Sequence, residues 1–254
     1  MQLFRYGFLL RNLIVRDFKI RYRNMSLGIF WSLLNPLVMM GVLSFIFTKI
    51  FPSPSIKNFG VFVLCGLVPF NFFAVAWVSG TTSLLNNAAL IKRVRMPREA
   101  VPVSVVLANG IHFVIQIGLL LAFVLGAGYG VNPNWLWLPL IFGLEVVFVC
   151  GLSLASSALD VFFRDVRYVV ESTNTVLFWL VPIFYSFAII PEQYKTVYQF
   201  NPVAAVVMAC RLILLENRQP PFSILWKLTL VSTVALVLGL AIFRRSKRKF
   251  ADYL

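Results

Sequence analysis

The chain has 254 residues, 60% of them hydrophobic and 13% charged, with a formal net charge of +14. That leaves too little polar surface for a water-soluble domain of this size, so lipid is the expected solvent. The charge would suit nucleic acid, but the cations flank long apolar stretches, where anionic lipid and topology already account for them, so no nucleic-acid partner is expected.

Seventeen of the 23 Lys and Arg residues fall in four blocks, Arg5 to Arg23, Lys92 to Arg98, Arg164 to Arg167 and Arg244 to Lys249. Cations beside spans stay on the cytoplasmic side, so an even number of crossings separates successive blocks and both termini lie inside. Two crossings per gap give six spans. The expected class is an all-α polytopic membrane protein, one transmembrane domain over residues 1–254. Cys65, Cys150 and Cys210 lie in apolar segments and the only His is His112, so no disulfide or metal site is expected. Arg5 comes early and no long apolar core ending in small residues follows, so no cleavable signal is expected either.

Residues 1–24 come first. At 100° per residue Arg5, Asn12, Arg16, Lys19 and Arg23 share one face, with Leu3, Tyr6, Leu10 and Leu13 roughly opposite. This predicts a helix in the cytoplasmic interface, its apolar side in the acyl boundary. Arg5, Arg16, Lys19, Arg21 and Arg23 are its candidate contacts to lipid headgroups or to a partner protein.

Span one is expected over about residues 27–50, with Trp31 near its cytoplasmic end and Pro36 inside, and residues 51–58 make an outer turn. Span two begins near Phe59 and loses its apolar character between Gly80 and Asn87. Span three runs from Pro102 to about Leu125, and the GAGYGVNPNW cluster from Gly126 to Trp135 supplies the next outer turn. Its GxGxG spacing follows no strand and precedes no GK[ST], so it is not a nucleotide loop. Span four, about Trp135 to Leu159, carries Glu145, the one acid deep in hydrocarbon, which would mark either a pathway or a buried hydrogen bond.

Span five is expected over Ser172 to Ile190. Residues 193–216 then hold an apolar stretch broken by Asn201-Pro202 and followed by Arg211, too short for an ordinary crossing. They read as one or two re-entrant or interfacial helices on the outer side. Span six covers about Ile224 to Phe243, and residues 244–254 form a basic cytoplasmic tail.

No catalytic residue emerges. The nine acids are scattered, and there is no nucleophile elbow, HExxH pair or phosphate-binding lysine loop. A carrier driven by protons or sodium would need more intramembrane carboxylates or matched broken helices, and no internal repeat is present. If the chain moves a substrate, its energy comes from elsewhere.

Four strings narrow the class: RYRNMSLGIFWSLLNP (21–36), NNAALIKRVRMPREAVP (86–102), FFRDVRYV (162–169) and the Asn201-Pro202 pair ahead of Arg211. Together, in order and over essentially the whole chain, they resemble the membrane subunit of type-2 ABC exporters of lipid-linked polysaccharides. O-antigen export permeases are the nearest in kind, with capsule and teichoic acid permeases beside them. Asn24 and Met25 stand where many relatives read Gly-Ser.

The resemblance implies a homodimer of six-span protomers in the bacterial inner membrane, with a separate nucleotide-binding subunit beneath each half. ATP and Mg would be held there, and no cofactor by this chain. It also implies that residues 86–97 are a coupling helix seated on the ATPase, with Asn87, Leu90, Ile91, Lys92, Arg93 and Arg95 as its contacts and Pro97 as its stop. Residues 193–216 would be the outer gate.

Two copies would then enclose a pore through which a polyprenyl-pyrophosphate-linked glycan is threaded, sliding over aromatic rings that stack on sugar C–H faces. The candidate pore or gate residues are Trp31, Trp179, Phe184, Tyr185, Asn201, Pro202 and Arg211. Efflux of a drug or small lipid shares the six-span plan. A polyprenyl-lipid transferase would need paired acids or a metal loop that the chain lacks.

Overall fold

The computed structural model describes residues 7–22, 28, 30–51, 56–93 and 96–250. Among them the regular elements are helical throughout: α1 (Gly7–Tyr22), α2 (Phe30–Phe45), α3 (Phe59–Thr81), α4 (Ser83–Asn86), α5 (Ala88–Arg93) and α6 (Ala100–Gly126) come first. Then follow α7 (Leu138–Asp160), α8 (Val166–Leu180), α9 (Glu192–Phe200), α10 (Pro202–Leu214) and α11 (Phe222–Ser246). Five helices are long and apolar enough to cross a membrane: α2 with its wide final turn, α3, α6, α7 with its entry turn, and α11. The fold is that of an all-α polytopic membrane protein.

The α3 helix is apolar on every side and carries no charge, which suits a helix surrounded by protein. It packs against α2, α6, α7, α8 and α10, with Val63, Leu64, Cys65 and Val68 fully buried. Behind it α7 and α11 cross at their closest approach through Gly151 and Gly239. A Cβ on Gly151 would stand 2.5 Å from the Ala235 carbonyl carbon, and one on Gly239 would fall inside the Gly151 carbonyl. Small residues matter here because van der Waals contact, not hydrophobicity, draws helices together in lipid. On the other side α2 presents Leu34, Val38, Val42 and Phe45, one i, i+4 stripe, away from the protomer, and α8 does the same with Val169, Val176 and Trp179.

The four cationic blocks meet at one end. Arg16 Nη2 donates to Asn87 Oδ1 at 2.7 Å, Arg98 Nη1 to the Lys247 carbonyl at 3.0 Å, and Lys247 Nζ to Glu99 Oε1 at 2.8 Å. Phe250 is fully buried between Phe162 and Phe243, with ring centroids 5.9 and 5.4 Å away. The chain after Phe243 is therefore not a free basic tail: α11 continues to Ser246, and a short turn folds Phe250 back onto the bundle.

The fifth span departs from expectation. Its helix, α8, starts at Val166 and stops at Leu180, at about 22 Å too short for a hydrocarbon core of about 30 Å. Pro182 forces the residue before it out of the helical region, and Val181 is extended at φ −70°, ψ 136°. Residues 181–186 continue as irregular backbone, tolerable at membrane depth only where protein covers it, and Val181, Pro182 and Ile183 are buried.

The first helix differs as well. Leu13 is buried against the bundle and not in acyl chains, because α1 docks along α6, where Phe18 stacks on His112 at 4.9 Å and Ser104 Oγ lies 3.5 Å from Asp17. Its exposed arc mixes Phe8 and Val15 with Arg11, Asn12 and Lys19. Arg5 and Arg23 lie outside the described residues.

Candidate functional site

At the basic end the chain leaves α3 and turns twice. Of the single helix expected over residues 86–97, Ala88 to Arg93 is helical as α5; Asn87, whose φ of −110° and ψ of 17° leave the helical region, hinges it to α4, which begins earlier, at Ser83. Met96 and Pro97 are already non-helical, and residues 94 and 95, including the expected contact Arg95, lie outside the described residues.

Asn87 secures this hinge from both sides. Its Nδ2 donates to the Ser83 carbonyl at 2.9 Å while its Oδ1 accepts from Arg16 on α1. Arg16, a candidate contact to headgroups or to a partner protein, is thus turned toward its own chain and also pairs with Asp17 at 2.6 Å. Arg21 lies in α1, and Lys19 is exposed.

Beyond the hinge Leu90 and Ile91 are half-buried, Ile91 against a small apolar cluster that includes Leu84, Val101, Leu154 and Phe243. Lys92 and Arg93 point into solvent. The result is a short cationic helix whose root is fixed to three other helices and whose tip is free to meet a partner. At the start of α6, burial works against the Glu99 carboxylate, but the bond from Lys247 and the charge of Arg244 hold its pKa below the ordinary 4.5.

The opposite end holds most of the residues expected at a gate. The α9 and α10 helices meet at 101° across Asn201-Pro202. The reason is local: Asn201 Oδ1 accepts from the Val203 and Ala204 amides at 3.1 and 3.4 Å, and Pro202 fills the first helical position. The pair is a helix cap, and both residues are half-buried.

Arg211 lies only 6% exposed. Its Nη2 donates to the Ile183 carbonyl at 2.6 Å, Nη1 to Tyr185 at 3.4 Å, and Nε and Nη2 to Phe62 at 3.3 Å, with the guanidinium carbon 3.5 Å above the Phe62 ring. Three carbonyls and a π face stand where a carboxylate is usual, and two of the carbonyls, those of Ile183 and Tyr185, belong to the irregular segment after α8. Gly66 makes room, since a Cβ there would be 3.0 Å from Ile183 Cα and 3.3 Å from Arg211 Nη2. Arg211 therefore binds α10, α3 and residues 183–185 together.

Trp179, Phe184 and Tyr185 cluster beside it, with Phe184 5.4 Å from each of the other two rings. Tyr185 Oη donates to the Leu180 carbonyl at 2.5 Å, which shapes the turn. Trp179 is exposed and the other two are half-buried, so this cluster offers an aromatic surface on the outer side of α8.

Trp31 belongs to neither place. It lies half-exposed near the basic end of α2, on a cavity of about 250 Å³ between α2, α3 and α6. Asn35, Asn71, Asn109, His112 and Gln116 also line that cavity; the i, i+3, i+7 spacing of the last three on α6 was a signal that sequence reasoning passed over. Asn35 and Asn71 come from different helices, so only the packing brings them together. Of the two roles open to Glu145, the buried hydrogen bond is not found among the described residues: neither carboxylate oxygen has a partner there, and the side chain is buried.

Residues 9–215 match the family model described as ABC-2 type transporter. Two proteins named O-antigen export system permease protein RfbA, from Klebsiella pneumoniae and Myxococcus xanthus, are 33% and 31% identical to this chain. They align over 98% and 99% of it and over 96% and 97% of their own lengths. The polysialic acid transport protein KpsM of Escherichia coli is 26% identical over 91% of each chain.

Proposed function

Because the chain belongs to the ABC-2 type transporter family, we propose that it is the membrane subunit of an ATP-driven exporter of polyprenyl-pyrophosphate-linked polysaccharide, of the O-antigen kind. It would act in the bacterial inner membrane with both termini cytoplasmic, as a pair of copies enclosing a pore and served by two ATP-binding subunits. The observation that carries this reading is the similarity to O-antigen export permeases over nearly the full length of both aligned chains.

The geometry supplies a route for the energy. A partner pressing on Lys92 and Arg93 displaces α5, and the displacement passes through Asn87 to Arg16 and α1. It also passes through Ile91 to the cluster joining the ends of α6, α7 and α11. At the far end Arg211 makes α10 follow α3 and the turn after α8, so the outer helices travel with the bundle.

The test is reconstitution of the chain with its ATP-binding subunit in liposomes. A lipid-linked glycan should stimulate ATP hydrolysis several-fold. Lys92→Glu combined with Arg93→Glu should abolish that stimulation while assembly and basal hydrolysis persist. Stimulation by small hydrophobic compounds and not by the glycan would refute the substrate class.

A further inference from the structure

In the cavity beside Trp31 several amide side chains face a common space, and its described lining includes no Lys, Arg, Asp or Glu. Gln116 Nε2 is engaged by the Ser32 carbonyl at 2.8 Å, and Asn109 Nδ2 by the Val105 carbonyl at 2.8 Å. Asn71 differs: its Nδ2 is buried and has no hydrogen-bond partner. A buried unsatisfied amide destabilises the fold, and leucine fills a similar volume without that cost. The residues of α3 from Phe59 to Val78 are otherwise apolar, and none of them hydrogen-bonds this amide nitrogen.

We propose that this cavity binds one neutral, hydroxyl-bearing ring, a single sugar residue of the lipid-linked glycan, with Asn71 donating to a ring hydroxyl. The proposal rests on the export reading above and names the part of the substrate that the protomer itself reads. Amide groups carry donor and acceptor side by side and so match a diol. The absence of charged lining residues argues against the pyrophosphate as occupant, since a dianion in a low-dielectric wall requires cations. Trp31 at the edge offers a face for sugar C–H groups. About 250 Å³ is below the 300–1,000 Å³ of sites for drug-sized ligands, room for one ring and not for a chain. The glycerol headgroup of phosphatidylglycerol shares the diol chemistry, so the test must separate the two sources.

The experiment measures binding of radiolabelled polyprenyl-pyrophosphoryl disaccharide, and of sugar-free polyprenyl pyrophosphate, to the complex with its ATP-binding subunit in phosphatidylethanolamine nanodiscs. Asn71→Leu should bind the disaccharide lipid about ten-fold more weakly, equivalent to about 1.4 kcal/mol. It should bind the sugar-free lipid as the wild type does and unfold at the same or a higher temperature, an outcome that a structural role for the amide would not produce. Asn35→Ala, at an exposed position on the same cavity, should weaken disaccharide binding several-fold and stands in if Asn71→Leu fails to fold. Unchanged disaccharide affinity in the variants, or equal loss for both lipids, overturns the proposal and leaves the export reading standing. Competition by phosphatidylglycerol in the wild type and not in Asn71→Leu assigns the cavity to the headgroup and overturns the sugar. A wild type that binds neither lipid removes the export reading and this site together.

Discussion

The α7–α11 crossing and the outward faces of α2 and α8 are built from opposite materials. At the crossing Gly151 and Gly239 bring backbone onto backbone, with no side chain between that could change rotamer. On α2, Leu34, Val38, Val42 and Phe45 end in open space, and α8 leaves Val169, Val176 and Trp179 in the same condition. Lipid is as apolar as leucine, so exposure of these residues costs nothing in itself. A surface of that kind can slide, separate or meet another copy, whereas a glycine seam cannot. The bundle therefore contains one rigid pair and two helices at its boundary, and under the export reading proposed above motion driven from the basic end would fall on the latter.

The largest effect should come from filling the seam. Gly239→Leu puts a side chain into the Gly151 carbonyl, and the helices must part along their length. Overpacking of side chains costs about 1–3 kcal/mol, and contact with backbone should exceed that, so the folded peak in size-exclusion chromatography should disappear. Val38→Leu on α2 should leave protomer stability within about 0.5 kcal/mol. A tolerated Gly239→Leu would mean that the two surfaces are not different in kind.

Next in size is Arg211→Met. Hydrogen bonds from a charged donor contribute about 1.5–3 kcal/mol each, and the substitution strands the carbonyls of Phe62 and Ile183. The unfolding temperature should fall and residues 181–190 should become open to protease. Arg211→Lys should rescue little, because an ammonium lacks the planar fork that spans these carbonyls and stacks on Phe62. Rescue by lysine would show that charge alone, and not the tie to the turn after α8, holds this end.

Much of this architecture could be read from the chain because membrane spans are governed by length and charge. The apolar lengths of α3, α6, α7 and α11, the basic blocks between them and the Asn-Pro break at residue 201 are all local signals. Span five misled because an apolar composition persists through Pro182 to Ile190, while helicity depends on the single residue Val181. The functional surfaces were less visible, since what matters there is contact between distant segments. Asn87 looked like an ATPase contact, and its partner Arg16 lies 71 residues earlier. Arg211 could be named as a gate candidate from its place after Asn201-Pro202, but its partners Phe62 and Ile183 lie 149 and 28 residues away and could not. Asn71 carried no signal at all, for a lone Asn in an apolar helix gains meaning only from what α2 and α6 place opposite it.

The link between Lys247 and Glu99 ties the end of the seam helix α11 to the start of α6, and it supplies a pH test. The Glu99 pKa is lower in the folded protein, so the stabilisation is complete above the unfolded value of about 4.5 and is lost as pH falls through the lower folded value. Thermal unfolding followed from pH 6 downward should show the wild type losing stability more steeply than Lys247→Gln. Parallel slopes would detach the basic end from the rigid pair.

The smallest effect on the protomer should be that of Glu171→Gln, and it is the most direct probe of the α8 face. Glu171 accepts from Arg167 Nε at 2.8 Å, one helical turn away on an exposed surface, an arrangement whose gain is offset by side-chain entropy and screening. No change in protomer unfolding is expected. Chemical cross-linking of pairs in membranes answers a different question, because a charge pair that is idle on a lone protomer becomes costly to disturb once a second copy removes it from water. A loss of cross-linked pairs in Glu171→Gln with unfolding unchanged would make α8 an assembly surface. Equal cross-linking in both proteins would leave α2 as the face on which two copies meet.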